Sequence, residues 1–415
     1  MYRNKLLFKI TDSFVTGVMT MQNFEYYTPT KIVFGKQTEQ QVGELIKEQG
    51  CQKVLIHYGG NSAKASGLLD RVKASLDNAG IAYTELGGVV ANPLLSLVYQ
   101  GIELCKKEQV DFILAVGGGS VIDSAKAIAY GVAEPDKDVW ELYDRKRQAT
   151  ACLPVATILT LAAAGSEMSE SSVITKEEGD IKRGYSNNLS RPVFSILNPE
   201  LTMTLPKYQT ASGNVDILMH TMERYFTPHD TMEITDGIAE SLLKTVMKNA
   251  QILAKDPQNY EARAEIMWSG SLSHNGLTNC GGGNGDWATH MLEHELSGMF
   301  GVTHGAGLAA VWGHWARYVY QALLPRFERF ALRVMGVAPA ENAEQTALKG
   351  IEAMENFFRS IDMPTNLSEL GVNATAEQIA EMAKKCAIAS KGCIGAAKPL
   401  YEQDMAAIYT AAQNA

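Results

Sequence analysis

The chain runs to 415 residues, of which 46% are hydrophobic and 20% charged, with a formal net charge of −9. A single core stops growing at roughly 250–300 residues, so the length predicts two domains of ordinary globular composition. The acidic balance argues against a nucleic-acid or anionic-membrane partner, and no apolar run is long enough to span a bilayer. Six scattered cysteines without a C-x-x-C pair predict free thiols in a reducing, cytoplasmic compartment.

Residues 1–21 read as an extension ahead of the first domain. They are apolar and slightly basic, but Lys9 and Asp12 interrupt them too early for a secretory signal, and Met19 and Met21 are alternative starts. From 22 to 205, strand-like and helical runs alternate. Residues 53–57 predict a strand ending at Tyr58-Gly-Gly60, 62–78 a helix, 82–86 a strand, 94–109 a helix, and 111–116 a buried strand. Such alternation predicts a mostly parallel sheet covered by helices. From 206 to 415 the chain reads as long helical segments broken at Pro228, at Gly281-Gly-Gly283 and near Pro364. The expected fold is a Rossmann-like α/β nucleotide-binding domain followed by an all-α domain, with a ligand cleft between them.

The strand at 111–116 runs into Gly117-Gly-Gly-Ser-Val-Ile-Asp123. Glycines let the backbone approach a phosphate, and the following helix N-terminus offers free N–H groups. The pattern is not G-x-G-x-x-G. A plain capping box made by Ser120 and Asp123 is the competing reading, and the two can coexist. An earlier turn, Gly59-Gly-Asn-Ser62, carries no Asp or Glu to bind a ribose diol and repel a 2′-phosphate. Ser62 leaves room for the phosphate of NADP, although a simple tight turn explains the same residues.

The strongest pattern lies in the helical half. Asp216-Ile-Leu-Met-His220 places a carboxylate and an imidazole four apart, on one helical face. His290-Met-Leu-Glu-His294 does the same with two imidazoles, and His304 follows ten residues later. Three or four such groups converging would make a site for a borderline divalent ion such as Fe²⁺ or Zn²⁺. The spacing leaves open which of His290 and His294 is a ligand. His57, His229, His274 and His314 lack such company and are expected to be structural or exposed.

These motifs, together with Pro29-Thr-Lys-Ile-Val-Phe-Gly35, Gly165-Ser-Glu167 and Thr303-His-Gly305, resemble the iron-containing alcohol dehydrogenase family. The branch is that of butanol dehydrogenases and NADPH-dependent aldehyde reductases, and the resemblance runs from about Phe24 to the C-terminus. It implies a dehydroquinate synthase-like fold, a homodimer, and hydride transfer between NADP or NAD and a small primary alcohol or aldehyde. It also implies Asp216, His220, His290 and His304 as metal ligands, with His294 close by for substrate contact or proton relay. For the cofactor it implies Gly59, Gly60 and Ser62 around the adenosine ribose, with Asn92 beside it. Gly118, Gly119 and Ser120 would hold the pyrophosphate, with Asp123 nearby. Thr160 would sit near the nicotinamide, Lys182 on ribose hydroxyls, and Leu201 along the cofactor.

Two departures stand out. Ala164 replaces a hydroxyl residue that could contact the cofactor, and Asn198-Pro199 replaces Asp-Pro at a turn. Three other readings compete. A non-redox lyase resembling dehydroquinate synthase would line its pocket with Lys and Arg, yet residues 281–305 contain neither. A polyol dehydrogenase resembling glycerol dehydrogenase and a non-catalytic nucleotide-binding protein are the others.

Overall fold

The computed structural model describes residues 21–229 and 232–415. The extension expected at residues 1–21 therefore lies outside the described residues except for Met21.

The first half builds one parallel sheet from β1 (Lys31–Phe34), β2 (Lys53–Tyr58), β3 (Ala82–Leu86), β4 (Phe112–Gly117), β5 (Val155–Leu159) and β8 (Phe194–Leu197). A hairpin of β6 (Ser171–Lys176) and β7 (Ile181–Ser186) stands apart from it. The sheet order is β1-β8-β5-β4-β2-β3. Central strands such as β4 and β5 are buried at every position, which is why they read as continuous apolar runs rather than alternating ones. Between them run α1 (Val42–Lys47), α2 (Ser62–Ala65), α3 (Leu68–Ala79), α4 (Leu95–Glu108), α5 (Gly119–Ala133) and α6 (Trp140–Tyr143). The helix expected at 62–78 is two, because Gly67 takes a left-handed conformation (φ 67°) between α2 and α3.

Chain order reverses between β2 and β4, since β3 lies outside β2 while β5 lies outside β4. Crevices at such a switch point, at the C-terminal strand ends, are where open α/β sheets bind ligands. The two glycine turns, Gly59-Gly60 after β2 and Gly117–Gly119 after β4, flank it.

From Lys207 onward the described residues form α7 (Lys207–Tyr225), α8 (Glu233–Lys255), α9 (Tyr260–His274), α10 (Ala288–Phe300), α11 (His304–Val319), α12 (Leu324–Arg333), α13 (Ala343–Ser360), α14 (Ala376–Ala389) and α15 (Glu402–Asn414). Pro228, the Gly281 triplet and Pro364 all fall between helices, as the sequence predicts. One apolar core continues from the α4–α5 face of the sheet into this bundle, while a second fills the α1–α3 face.

Glycines set how closely the two halves meet. A Cβ on Gly165 (φ +65°) would lie 2.7 Å from both the Gly270 carbonyl and the His274 Cβ on α9. One on Gly213 of α7 would lie 2.5 Å from the Ala162 carbonyl. Glu167 then accepts a 2.5 Å hydrogen bond from Ser271 of α9. The Gly165-Ser-Glu167 motif is thus a docking seam between the halves.

Candidate metal centre and cofactor cleft

A cavity of about 680 Å³ opens between the halves, within the range of small-ligand sites. At one end lie Gly59, Ser62, Asn92, Gly118, Gly119 and Ser120; at the other lie Asp216, His220, His290, His294 and His304. Thr160 and Lys182 also line the cavity, Thr160 beside the glycine loop through its amide on Gly117 O (3.0 Å) and Lys182 beside Glu293 and His304. Leu201 lies instead in an adjoining recess of about 420 Å³, which shares Ser62 and Thr160 with the cleft. Gly60 lines neither wall but continues the turn after β2.

The glycine loop is shaped by crowding. A Cβ on Gly118 would come within 3.1 Å of Leu161, and one on Gly119 within 3.2 Å of Ala164. Gly118 is the N-cap of α5, and no side chain caps the helix, so its first N–H groups remain available to an anion. The capping-box alternative for Ser120 and Asp123 is therefore not realised. Asp123 turns inward: it accepts from Ser166 Oγ (2.6 Å) and from the Val173 amide (3.0 Å). One turn on, the fully buried Lys126 donates to Ser166 O, Ser166 Oγ, Ser169 O and Ser171 O at 2.7–3.0 Å. A buried ammonium is tolerable only when so saturated. Together they pin segment 166–173 against α5.

At the other end, α7 and α10 bring three ligand atoms together, and α11 sets His304 beside Asp216. Positions 210–225 of α7 are buried throughout, so Asp216 and His220 face the interior and the cleft rather than the outer surface. Asp216 Oδ1 lies 3.4 Å from His220 Nδ1, 3.7 Å from His290 Nε2 and 3.7 Å from His304 Nε2. Asp216 Oδ1, His220 Nδ1 and His290 Nε2 are all buried without a hydrogen-bond partner. Orphaned polar atoms are rare in native interiors, and this trio lies mutually within 4.8 Å. A divalent cation placed among them would satisfy all three. Burial, and then the neighbouring His274 and His290, hold the His220 imidazolium well below its usual range, so that ring is neutral as a ligand must be.

Two carboxylates stand behind the imidazoles. Glu223 Oε1 accepts from both the backbone N–H and Nδ1 of His290, each at 3.0 Å. Glu293 Oε2 takes Nδ1 of His304 and lies 3.3 Å from Lys182 Nζ, while its Oε1 accepts from Ser297. Each ring is thereby held with Nδ1–H toward a carboxylate and Nε2 toward the shared point, the arrangement usual around bound metals. Burial pulls the His290 imidazolium down, but Asp216 and Glu223 more than offset this and lift it to about 9, so these carboxylates call for a positive charge. Glu293, His294 and His304 form an adjacent trio, whose acidic member already has the Lys182 ammonium for company.

Lys182 sits on β7, in a hairpin the sequence reading did not anticipate, and its nearest partner is Glu293 rather than open cleft. His294 lines the cleft with its ring centroid 5.8 Å from that of His304. His274, expected to be structural or exposed, is neither remote nor exposed: its ring centroid is 4.1 Å from that of His220. Glu223 was legible in retrospect, as the third polar residue of an Asp216, His220, Glu223 stripe on a buried helix. Glu293, three residues after His290 on α10, was legible in the same way, whereas His274 carried no spacing signal of its own.

Residues 29–199 match the family profile described as iron-containing alcohol dehydrogenase, and residues 210–413 match that of its C-terminal region. The chain belongs to the iron-containing alcohol dehydrogenase family. Among its members, this chain is 40% identical to NADH-dependent butanol dehydrogenase A of Clostridium acetobutylicum, covering 94% of this chain and 99% of that one. It is 36% identical to the NADPH-dependent aldehyde reductase YqhD of Escherichia coli, over 86% and 91% of the two chains. The crystal structure of NADH-dependent butanol dehydrogenase A from Thermotoga maritima superposes with a TM-score of 0.91 at 40% identity, covering 95% of this chain and 99% of that one. The dehydroquinate synthase-like two-domain fold expected of a family member is thus the fold found. Among the described residues no helix is long and apolar enough to cross a membrane.

Proposed function

We propose that this iron-containing alcohol dehydrogenase family member is an NAD(P)H-dependent oxidoreductase interconverting a primary alcohol and its aldehyde, of butanol type or with broader aldehyde range. One divalent ion, Fe²⁺ or Zn²⁺, would be held by Asp216, His220, His290 and His304. The observation that carries this reading is the convergence of three partnerless ligand atoms in the wall of the cleft that begins at the glycine loop. The printed activities of the relatives, NADH-dependent butanol dehydrogenase and NADPH-dependent aldehyde reductase, agree with it.

When bound, the ion supplies Lewis acidity toward a substrate oxygen, and the nicotinamide carries the hydride. The chain's own residues supply position and field. Gly118, Gly119 and Ser120 offer the α5 N-terminus to the pyrophosphate, and Asp123 steadies the loop behind them. Gly59, Gly60, Ser62 and Asn92 take the adenosine side, with Leu201 in the adjoining recess. Thr160 and Lys182 flank the nicotinamide half. Burial, then Lys182, keeps the His294 imidazolium well below its usual range, so His294 rests neutral, with a ring nitrogen able to accept the proton of the substrate hydroxyl and pass it on.

We assign residues 22–205 to the cofactor domain and 206–415 to the metal domain. The six free cysteines support a cytoplasmic location. Exposed Phe24, Tyr26 and Tyr27, in the segment that leads into β1, together with the open edge of that strand, support a homodimer covering this part of the surface.

The test is oxidation of NADH and of NADPH, followed by nicotinamide absorbance, across straight-chain aldehydes from propanal to octanal on protein of measured metal content. Turnover that a chelator abolishes and Fe²⁺ or Zn²⁺ restores is expected. Turnover indifferent to the chelator, or none with either coenzyme, would overturn the reading. His304→Ala should lose metal and turnover together.

A further inference from the structure

One imidazole at this centre has no role so far. His274 ends α9, is 8% exposed and lines the cleft. Its ring lies against His220 and meets Trp287 edge-on, with ring centroids 5.8 Å apart. It stands outside the trio whose ligand atoms converge. The deciding contact is Arg224 Nη2, 3.2 Å from His274 Nδ1. A guanidinium has donors and no acceptor, so Nδ1 must present its lone pair and the ring proton must sit on Nε2. Arg224 is itself fixed, donating to His220 O at 2.6 Å and Ser273 O at 3.3 Å while lying 4.6 Å over the Trp287 ring. What results is an Nε2–H with no hydrogen-bond partner among the described residues, on a ring that faces the cleft.

We propose that His274 is a substrate-contacting residue: its Nε2–H, held in that tautomer by Arg224, donates a hydrogen bond to the oxygen of the bound alcohol or aldehyde. This rests on the alcohol–aldehyde reading above. A simple primary alcohol or aldehyde has one polar atom, its oxygen, and Trp287 and Met291 supply apolar wall to the same cleft. Negative charge gathers on that oxygen as a carbonyl is reduced, so a fixed donor acts more strongly at the transition state than before it. His274 cannot serve as a proton wire, because a wire needs an acceptor beyond Nδ1 and Arg224 has none. Proton movement therefore falls to His294, and His274 keeps a donor's role.

The experiment compares wild type, His274→Gln and His274→Phe as Zn²⁺-loaded, NADH-bound protein titrated calorimetrically with butyramide, an unreactive carbonyl ligand. The Phe variant is expected to bind butyramide about 5- to 10-fold more weakly, and its kcat/KM for butanal to fall by about 10- to 100-fold, the larger loss reflecting the charged acceptor. The Gln variant keeps an N–H and should recover most of both, and all three proteins should retain their metal. Nitrogen-15 spectra of the wild type should show one histidine protonated at Nε2 and bare at Nδ1 whose signal vanishes in His274→Gln. Wild-type binding and turnover in the Phe variant, loss of its metal, or a ring protonated at Nδ1 would each overturn the proposal. Failure of the underlying reading looks different: the wild type itself would not oxidise NADH or NADPH with butanal.

Discussion

Glu223 offers the sharpest test of how the imidazoles are prepared for a cation. Its Oε1 holds His290 twice, through the backbone N–H and through Nδ1, from a position only 3% exposed. Glu223→Gln preserves size and one acceptor but removes the charge that orients the ring and strengthens Nε2 as a donor of electrons. Loss of such an outer carboxylate typically weakens metal binding about 10- to 100-fold, which corresponds to about 1.4–2.7 kcal/mol. The assay is competition between metal-free protein and a chelator of known Zn²⁺ affinity. Asp216→Asn, which alters the atom at the point of convergence, serves as the upper limit. Tighter or unchanged Zn²⁺ binding in Glu223→Gln, alongside a clear loss in Asp216→Asn, would show that Glu223 merely fills space.

Two further outcomes follow from the fold. Gly165→Ala puts a methyl group 2.7 Å from the Gly270 carbonyl at φ +65°, and should cost about 2–4 kcal/mol of stability by overpacking and backbone strain; an unchanged denaturation midpoint would refute this. His57 is fully buried, donating from Nδ1 to Leu86 O with Nε2 against Ser124, and burial pulls its pKa from 6.5 down to about 4. The unfolded chain thus takes up this proton first as pH falls, so stability is lost between those two values. Between about pH 8 and about pH 5 the loss is about 2 kcal/mol, and His57→Gln should show an acid-side loss smaller by that amount in urea titrations. Parallel curves for the two proteins would contradict it.

Much of this was readable in advance, for identifiable reasons. Strands buried on both faces leave nearly unbroken apolar runs, so β2 and β4 fell within a residue of expectation, while the half-exposed edge strand β3 was marked instead by its position between helical runs. Asp216 with His220 and His290 with His294 were visible because a helix repeats its face every three to four residues. Spacing could not separate His290 from His294; that depends on which ring turns toward Asp216, and only His290 has Glu223 behind it to turn it. His274 was missed because its company is assembled from α7 and the loop before α10, none of it nearby in sequence. The β6–β7 hairpin escaped because its buried and half-buried positions follow no clean alternation. Asp123 looked like a cap in sequence, and tertiary partners at Ser166 and Val173 claimed it instead.

The seam at Gly165 and Gly213 also bears on motion. Where main chain rests directly on main chain, no rotamer change can relieve a relative rotation, so the two lobes are hinged stiffly if at all. Discrimination among aldehydes then becomes a matter of fixed walls rather than of jaws that close on a correct guest. Enlarging the substrate range should accordingly require carving those walls, at Trp287 or Met291, rather than loosening a joint.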